Sequence, residues 1–133
     1  MELSEGVGTR GMVGGQVIDI NYKDKRKDEN ILDCINHLKT AKLFEVSAKL
    51  GAIVADASRK ETDAMARFGL SLGMAFQIVD DIMDGGDYAK ILGRETAKKK
   101  SAYFINSAKS ELGVFGRKTD RLKDIADMVL AQI

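Results

Sequence analysis

Apolar positions fall into a helical rhythm through the middle of the chain. Leu32, Ile35, Leu43, Val46, Leu50 and Ile53 recur on one face, the period of an amphipathic helix. They predict a helix from Ile31 to about Ala57. Ser58-Arg59-Lys60-Glu61 then has the form of a capping box, in which the serine caps the helix and the glutamate reaches back. It predicts a second long helix running to about Asp84, stopped by Gly85-Gly86, since glycine readily takes the left-handed cap conformation. Residues 22–30 are almost wholly polar and read as a solvated connection. Beyond Gly86 the rhythm weakens into a polar connection, a basic segment (Lys98-Lys99-Lys100) and one or two short helices. The clearest of these is Leu122 to Leu130, with Leu122, Ile125, Ala126, Val129 and Leu130 apolar. The expected fold class is all-α, a helical bundle.

Composition narrows the classes without changing that picture. The chain has 133 residues, a single-domain length on the usual prior. Apolar residues make up 44% and charged residues 31%, enough for a core and a solvated outside. Twenty-one basic against 20 acidic residues leave a net charge of +1. That balance argues against a nucleic-acid binder or a polybasic membrane anchor. The absence of proline fits uninterrupted helices. One cysteine, Cys34, excludes an internal disulfide, and one histidine, His37, excludes a histidine-rich metal site. No apolar run approaches the ~18–20 residues of a membrane span. The acidic Met1-Glu2-Leu3-Ser4-Glu5 start is unlike a signal peptide, so the default location is the cytoplasm. Gly6, Gly8, Gly11, Gly14 and Gly15 hold five of the 13 glycines. Gly11–Gln16 lacks the Gly-Lys-Ser/Thr ending of a P-loop and has no strand-like run before it, so close helix packing is its favoured role.

The second helix carries chemistry. At about 100° per residue, Gly69, Gly73, Phe76 and Asp84 fall within about 40° of Asp80, and Gln77 lies at about 60°. Asp81, at about 100°, can reach the same ion from the side. Met65, Phe68, Leu70, Leu72, Met74, Ile78, Val79 and Ile82 make the rest of the helix apolar, which predicts burial. A buried carboxylate face needs compensating charge. Three hard oxygen ligands over one turn suit Mg²⁺, which keeps other positions for water and phosphate oxygens. The plainer reading is a solvated helix end, which acidic residues near a C-terminus make unfavourable. In the first helix, Lys39 falls in the middle of the apolar stripe. There it either snorkels, pairs with an acid, or points at a bound anion. Carboxylates, Mg²⁺ and a lysine together would form a diphosphate clamp.

These residues bear a family likeness. Phe76-Gln77-Ile78-Val79-Asp80-Asp81-Ile82-Met83-Asp84 resembles the second aspartate-rich motif of the trans-type isoprenyl diphosphate synthases, the polyprenyl synthetases. Gly11-Met12-Val13-Gly14-Gly15-Gln16, followed by Asp19, resembles that family's glycine–glutamine segment, and Lys39-Thr40-Ala41-Lys42-Leu43-Phe44 its Lys-Thr motif, with Gly51-Ala52 after it. Phe68-Gly69 and Leu72-Gly73 match the glycines before the aspartates. Leu92-Gly93-Arg94-Glu95 and Lys100-Ser101-Ala102-Tyr103 resemble the stretch after them.

The resemblance implies the all-α isoprenoid synthase fold and Mg²⁺-dependent prenyl transfer from an allylic diphosphate to isopentenyl diphosphate. By carry-over, Asp80, Asp81 and Asp84 would ligate Mg²⁺ and diphosphate. Lys39 would contact the leaving diphosphate, Thr40 and Gln77 would support it, and Lys100 would face it. Gly69 and Gly73 would give room beside the prenyl channel or allow close helix packing. Glu95 stands where the family usually has Asp, and Ala102 where it usually has Thr. The family's first aspartate-rich motif has no counterpart here, since Asp80-Asp81 is the only adjacent aspartate pair. Residues 1–133 therefore resemble the C-terminal half of a prenyltransferase domain. Three roles follow: an enzyme part completed by a second copy or by a subunit bringing the first motif, a non-catalytic diphosphate-binding or regulatory subunit, or an inactive truncated product. The resemblance implies little activity from this chain alone.

Overall fold

A computed structural model describes every residue except Asp24 and Arg26. It also leaves out the side chains of Arg117 and Lys118. The described residues form helices joined by short turns: α1 (Glu2–Val7), α2 (Met12–Asn21), α3 (Glu29–Asn36), α4 (Lys42–Val54), α5 (Arg59–Asp84), α6 (Asp87–Leu92), α7 (Arg94–Glu111) and α8 (Asp120–Leu130). A π-turn, His37–Ala41, joins α3 to α4, and a 3₁₀ stretch, Leu112–Thr119, joins α7 to α8. The all-α expectation holds. The Asp24 and Arg26 part of the polar run lies outside the described residues.

The helix α5 is the axis of the fold. Ser58 caps it with the full capping box, and Gly85 ends it in the left-handed conformation, φ 67°, as both glycine and serine predict. It packs against α4 on one side and α7 on another. Phe68, Leu72, Ala75 and Val79 of α5 meet Ile105 and Ala108 of α7 and Ala126 and Val129 of α8. Near its end, Ile78 and Ile82 join Leu32, Tyr88 and Ala97. Each fully buried isoleucine in these clusters contributes about 1.5–3 kcal/mol of transfer free energy.

Two expectations need correcting. The single helix predicted over 31–57 is interrupted by the π-turn. The inserted residue shifts the helical phase by about 100°. The stripe that looks continuous in sequence therefore splits: Leu32, Ile35 and Val46 are buried, whereas Leu43 and Ile53 are exposed. The basic segment 98–100, expected apart from the one or two short helices, lies inside an 18-residue helix, α7. Its buried face is Ala97, Ser101, Ile105 and Ala108, small residues that give a weak apolar signal and let the helix lie close against α5.

Glycines set the spacing between elements. A Cβ on Gly69 would lie 2.4 Å from the Phe44 carbonyl oxygen, and one on Gly73 would lie 2.6 Å from the Ala41 Cα. Close helix packing is thus their role. Replacing Gly69 by alanine should force α4 away from α5 and cost about 1–3 kcal/mol. A lowered urea midpoint at unchanged m-value is the expected readout, and an unchanged midpoint would contradict the close-packing account.

Candidate diphosphate-binding site

The site forms where α2, the π-turn and the C-terminal end of α5 converge. Gly15 of α2 makes this possible: a Cβ there would lie 2.5 Å from the Lys39 backbone nitrogen. Asp19, one turn further along α2, is thereby brought beside Lys39. Its Oδ2 accepts from the Lys39 Nζ at 2.8 Å. Lys39 is consequently not in the middle of a buried stripe. Its side chain is 41% exposed, because the π-turn rotates it out of the phase that the sequence spacing implies.

From the π-turn, Thr40 Oγ1 donates to Gln77 Oε1 of α5 at 2.9 Å, and Gln77 Nε2 donates to Asp81 Oδ1 at 3.1 Å. Asp81 Oδ2 accepts from the Tyr88 backbone N–H at 3.0 Å. The Asp81 carbonyl accepts from the Gly86 N–H at 2.7 Å. Asp81 is therefore the pin that folds the chain back from α5 into α6. A Cβ on Gly86 would lie 2.7 Å from the Asp81 carboxyl carbon, which explains the second glycine of the pair.

Asp80 and Asp84 differ from it in kind. Both are exposed, and neither makes a side-chain hydrogen bond or ion pair among the described residues. The expectation of a buried carboxylate face is corrected here. The face of α5 that carries Gly69 and Gly73 is covered by α4 and the π-turn, but further along it opens. Phe76, resting against Phe44 with ring centroids 5.4 Å apart, is 38% exposed, and Met83 is 55% exposed.

A second ammonium enters from a direction that the sequence did not signal. Lys27 donates to Asp19 Oδ1 and to Asp87 Oδ2, each at 2.9 Å. With Lys39, Gln77, Asp81 and Asn36 these residues line a pocket of about 240 Å³. Hydrogen bonds from Lys39, then from Lys27, hold the Asp19 carboxyl below its ordinary range. Burial works against the Lys27 ammonium, but Asp19 and Asp87 outweigh it and raise its pKa.

Lys100 is placed elsewhere. It pairs with Asp33 at 2.7 Å and Glu29 at 2.6 Å, and its Nζ sits 5.4 Å from the centre of the Tyr88 ring. The Tyr88 hydroxyl donates to Asp33 at 2.6 Å; burial, reinforced by Asp33, pushes it above its ordinary range. Lys100 thus ties α3 to α7 and is not among the residues lining the pocket. Of the residues singled out from sequence, the structure gathers Lys39, Thr40, Gln77 and Asp81, leaves Asp80 and Asp84 exposed and outside the pocket lining, and sets Lys100 apart. Asn36, Asp87 and Lys27 were missed. Asp19 carried a signal only through the family likeness, as the aspartate that follows the glycine–glutamine segment.

Among the described residues, no three His, Cys, Asp or Glu side chains converge on one metal position. The donors present still fit Mg²⁺: Asp80 and Asp84 are uncommitted hard oxygen ligands one turn apart, and this ion is usually held by one or two carboxylates plus phosphate oxygens.

The different tasks of the aspartates are separable. Asp81→Ala strands the Tyr88 N–H and should cost about 1–3 kcal/mol, whereas Asp80→Ala should stay within about 0.5 kcal/mol of the parent; equal losses in urea unfolding would contradict this division. Asp19 has a pH signature. Because its folded pKa is depressed, its stabilisation is fully present above the ordinary 3.8 and is lost as pH falls through the folded value. The stability difference between the parent and Asp19→Asn should therefore be constant near neutrality and shrink below about pH 4. A difference that is flat down to about pH 2 would contradict the assignment.

Comparison with known proteins gives the family and the fold. The polyprenyl synthetase family profile matches residues 5–127. The chain is 33% identical to the farnesyl diphosphate synthase of Bacillus subtilis, covering 98% of this chain and 51% of that protein. It is 36% identical to a chloroplastic geranylgeranyl pyrophosphate synthase of Capsicum annuum, covering 96% and 40%. The crystal structure of an FPP/GFPP synthase from Zymomonas mobilis superposes with a TM-score of 0.88 at 32% identity, over 96% of this chain and 48% of that one. A putative farnesyl-diphosphate synthase from Marinomonas gives 0.89 at 28% identity, over 97% and 50%. The chain spans about half the length of these relatives or less. With that profile covering residues 5–127 and these identities along nearly its whole length, the chain belongs to the polyprenyl synthetase family.

Proposed function

We propose that this chain supplies the second aspartate-rich half of a prenyl-transfer site, which condenses an allylic diphosphate with isopentenyl diphosphate. The observation that carries the reading is the contrast on one turn of α5. Asp81 is fully engaged in shaping the backbone, while Asp80 and Asp84 stand exposed beside it. Carboxylates near a helix C-terminus oppose the dipole, so an uncommitted pair there calls for a cation. Asp80 and Asp84 would hold Mg²⁺, which supplies charge neutralisation to the diphosphate. Lys39 presents its ammonium to the oxygens of the leaving diphosphate, where negative charge grows as the allylic C–O bond breaks. The Thr40–Gln77–Asp81 chain fixes the neighbouring backbone, so that Lys39 meets that charge already positioned. Lys100 would act indirectly, by holding α3 against α7.

The site is completed by a polypeptide segment that carries a further aspartate-rich cluster. Half-exposed Phe76 and Met83 beside Asp80, and the separate stripe of exposed Val13, Val17 and Ile20 on α2, offer apolar surface for such an association. Two of the relatives are large subunits of heterodimeric geranylgeranyl pyrophosphate synthases of Arabidopsis thaliana.

Titration calorimetry with Mg²⁺ and inorganic pyrophosphate tests the clamp. The parent chain should bind only when Mg²⁺ is present. Asp80→Ala and Lys39→Ala should each weaken binding by about tenfold or more, at least about 1.4 kcal/mol. Binding unchanged in Asp80→Ala would overturn the assignment. Prenyl transfer should be weak for the chain alone and rise when a polypeptide carrying the first aspartate-rich motif is added.

A further inference from the structure

We propose that Lys27 is a second anion-binding ammonium of the same pocket, contacting a phosphoryl oxygen of Mg²⁺-bound diphosphate alongside Lys39. The inference rests on the reading of the site given above and adds a residue to it.

Four observations converge. First, Lys27 belongs to a run of residues that is polar almost throughout, yet its side chain is only 14% exposed. A lysine is rarely that covered without a directed role. Second, it shares a carboxylate with Lys39: Lys27 sits on Asp19 Oδ1 and Lys39 on Oδ2. One acid thereby holds two ammonium groups side by side at the wall of one pocket. Third, Asn36 lines that pocket and is 6% exposed. Its Nδ2 approaches the Tyr88 hydroxyl but makes no well-formed hydrogen bond, so the amide keeps donor capacity for a ligand oxygen. Fourth, the partner that Lys27 reaches across to, Asp87, is 41% exposed. That carboxylate can return to water when a phosphoryl oxygen takes its place.

The charge balance selects the ligand. Asp19, Asp81 and Asp87 line the pocket against Lys27 and Lys39, an excess of one negative charge. A bare anion is repelled, so the ligand must be one whose negative charge a bound divalent cation reduces. Diphosphate with Mg²⁺ meets that condition, and its oxygens can satisfy two ammonium groups and the Asn36 amide together. The competing account makes Lys27 only a strap that fastens the loop before α3 to the start of α6. The two accounts differ at Asp87. A strap is weakened from either end, whereas an anion site loses its donor only when Lys27 is changed.

The test is calorimetry of the 133-residue chain with Mg²⁺ and inorganic pyrophosphate, alongside urea unfolding. The variants are Lys27→Met, Lys27→Arg and Asp87→Asn. Lys27→Met should weaken binding about tenfold, and Lys27→Arg should stay within about threefold of the parent. Asp87→Asn should bind as tightly as the parent or more tightly, even though its unfolding midpoint falls. Binding of Lys27→Met equal to the parent's would overturn the proposal. So would an Asp87→Asn chain that folds but binds more weakly, an outcome that decides the matter even where Lys27→Met does not fold. A parent chain that binds no pyrophosphate with Mg²⁺ would overturn the diphosphate-site reading itself, and this proposal with it.

Discussion

The site depends on one pinch. The π-turn is squeezed between two glycines, with Gly15 of α2 against the Lys39 nitrogen at 2.5 Å and Gly73 of α5 against the Ala41 Cα at 2.6 Å. These distances are those to a Cβ that neither residue has. Any larger residue on either side would push α2 or α5 away. Lys39 would then leave Asp19, and Thr40 would leave Gln77. The pinch also shows why an irregular turn is tolerated here: a π-turn has poorer hydrogen bonding than an α-helix, and tight packing on both sides holds it in place.

From that constraint the polar chemistry follows in two chains. One runs from Thr40 through Gln77 to Asp81 and on to the Tyr88 N–H, and it shapes the end of α5. The other runs from Lys39 through Asp19 to Lys27 and Asp87, and it gathers charge. They meet at one small pocket. Asp80 and Asp84 take part in neither chain, which leaves them available to a cation. A third network, Lys100 with Asp33, Glu29 and Tyr88, fastens α3 to α7 away from the pocket.

Much of the architecture was legible in the residues. The capping box at Ser58 and the glycine stop at Gly85 fix both ends of α5, because each acts through local backbone geometry. The long α7 was not legible: its buried positions are mostly alanine and serine, whose small side chains carry little apolar signal although they pack closely. Nor was the π-turn, since an extra residue in a helical turn leaves no mark in a spacing rule that assumes 3.6 residues per turn. That single miss put Lys39 in a buried stripe and split Leu43 and Ile53 from Leu32 and Ile35. The site was half legible. Residues joined along one helix face, such as Gln77 and Asp80, were found by angle. Lys27 and Asp87 reach the pocket from a polar loop and a short helix, where no periodicity points.

The account gives adjacent aspartates opposite roles, and a crystal structure grown with Mn²⁺ in place of Mg²⁺ and with inorganic pyrophosphate examines that directly through the metal's anomalous signal. The account predicts the metal at Asp80 and Asp84, the pyrophosphate reaching Lys39, and Asp81 still bound to Gln77 and the Tyr88 N–H. A metal drawn to Asp81 with the Tyr88 contact broken, or one seated among Asp33 and Glu29, would contradict it.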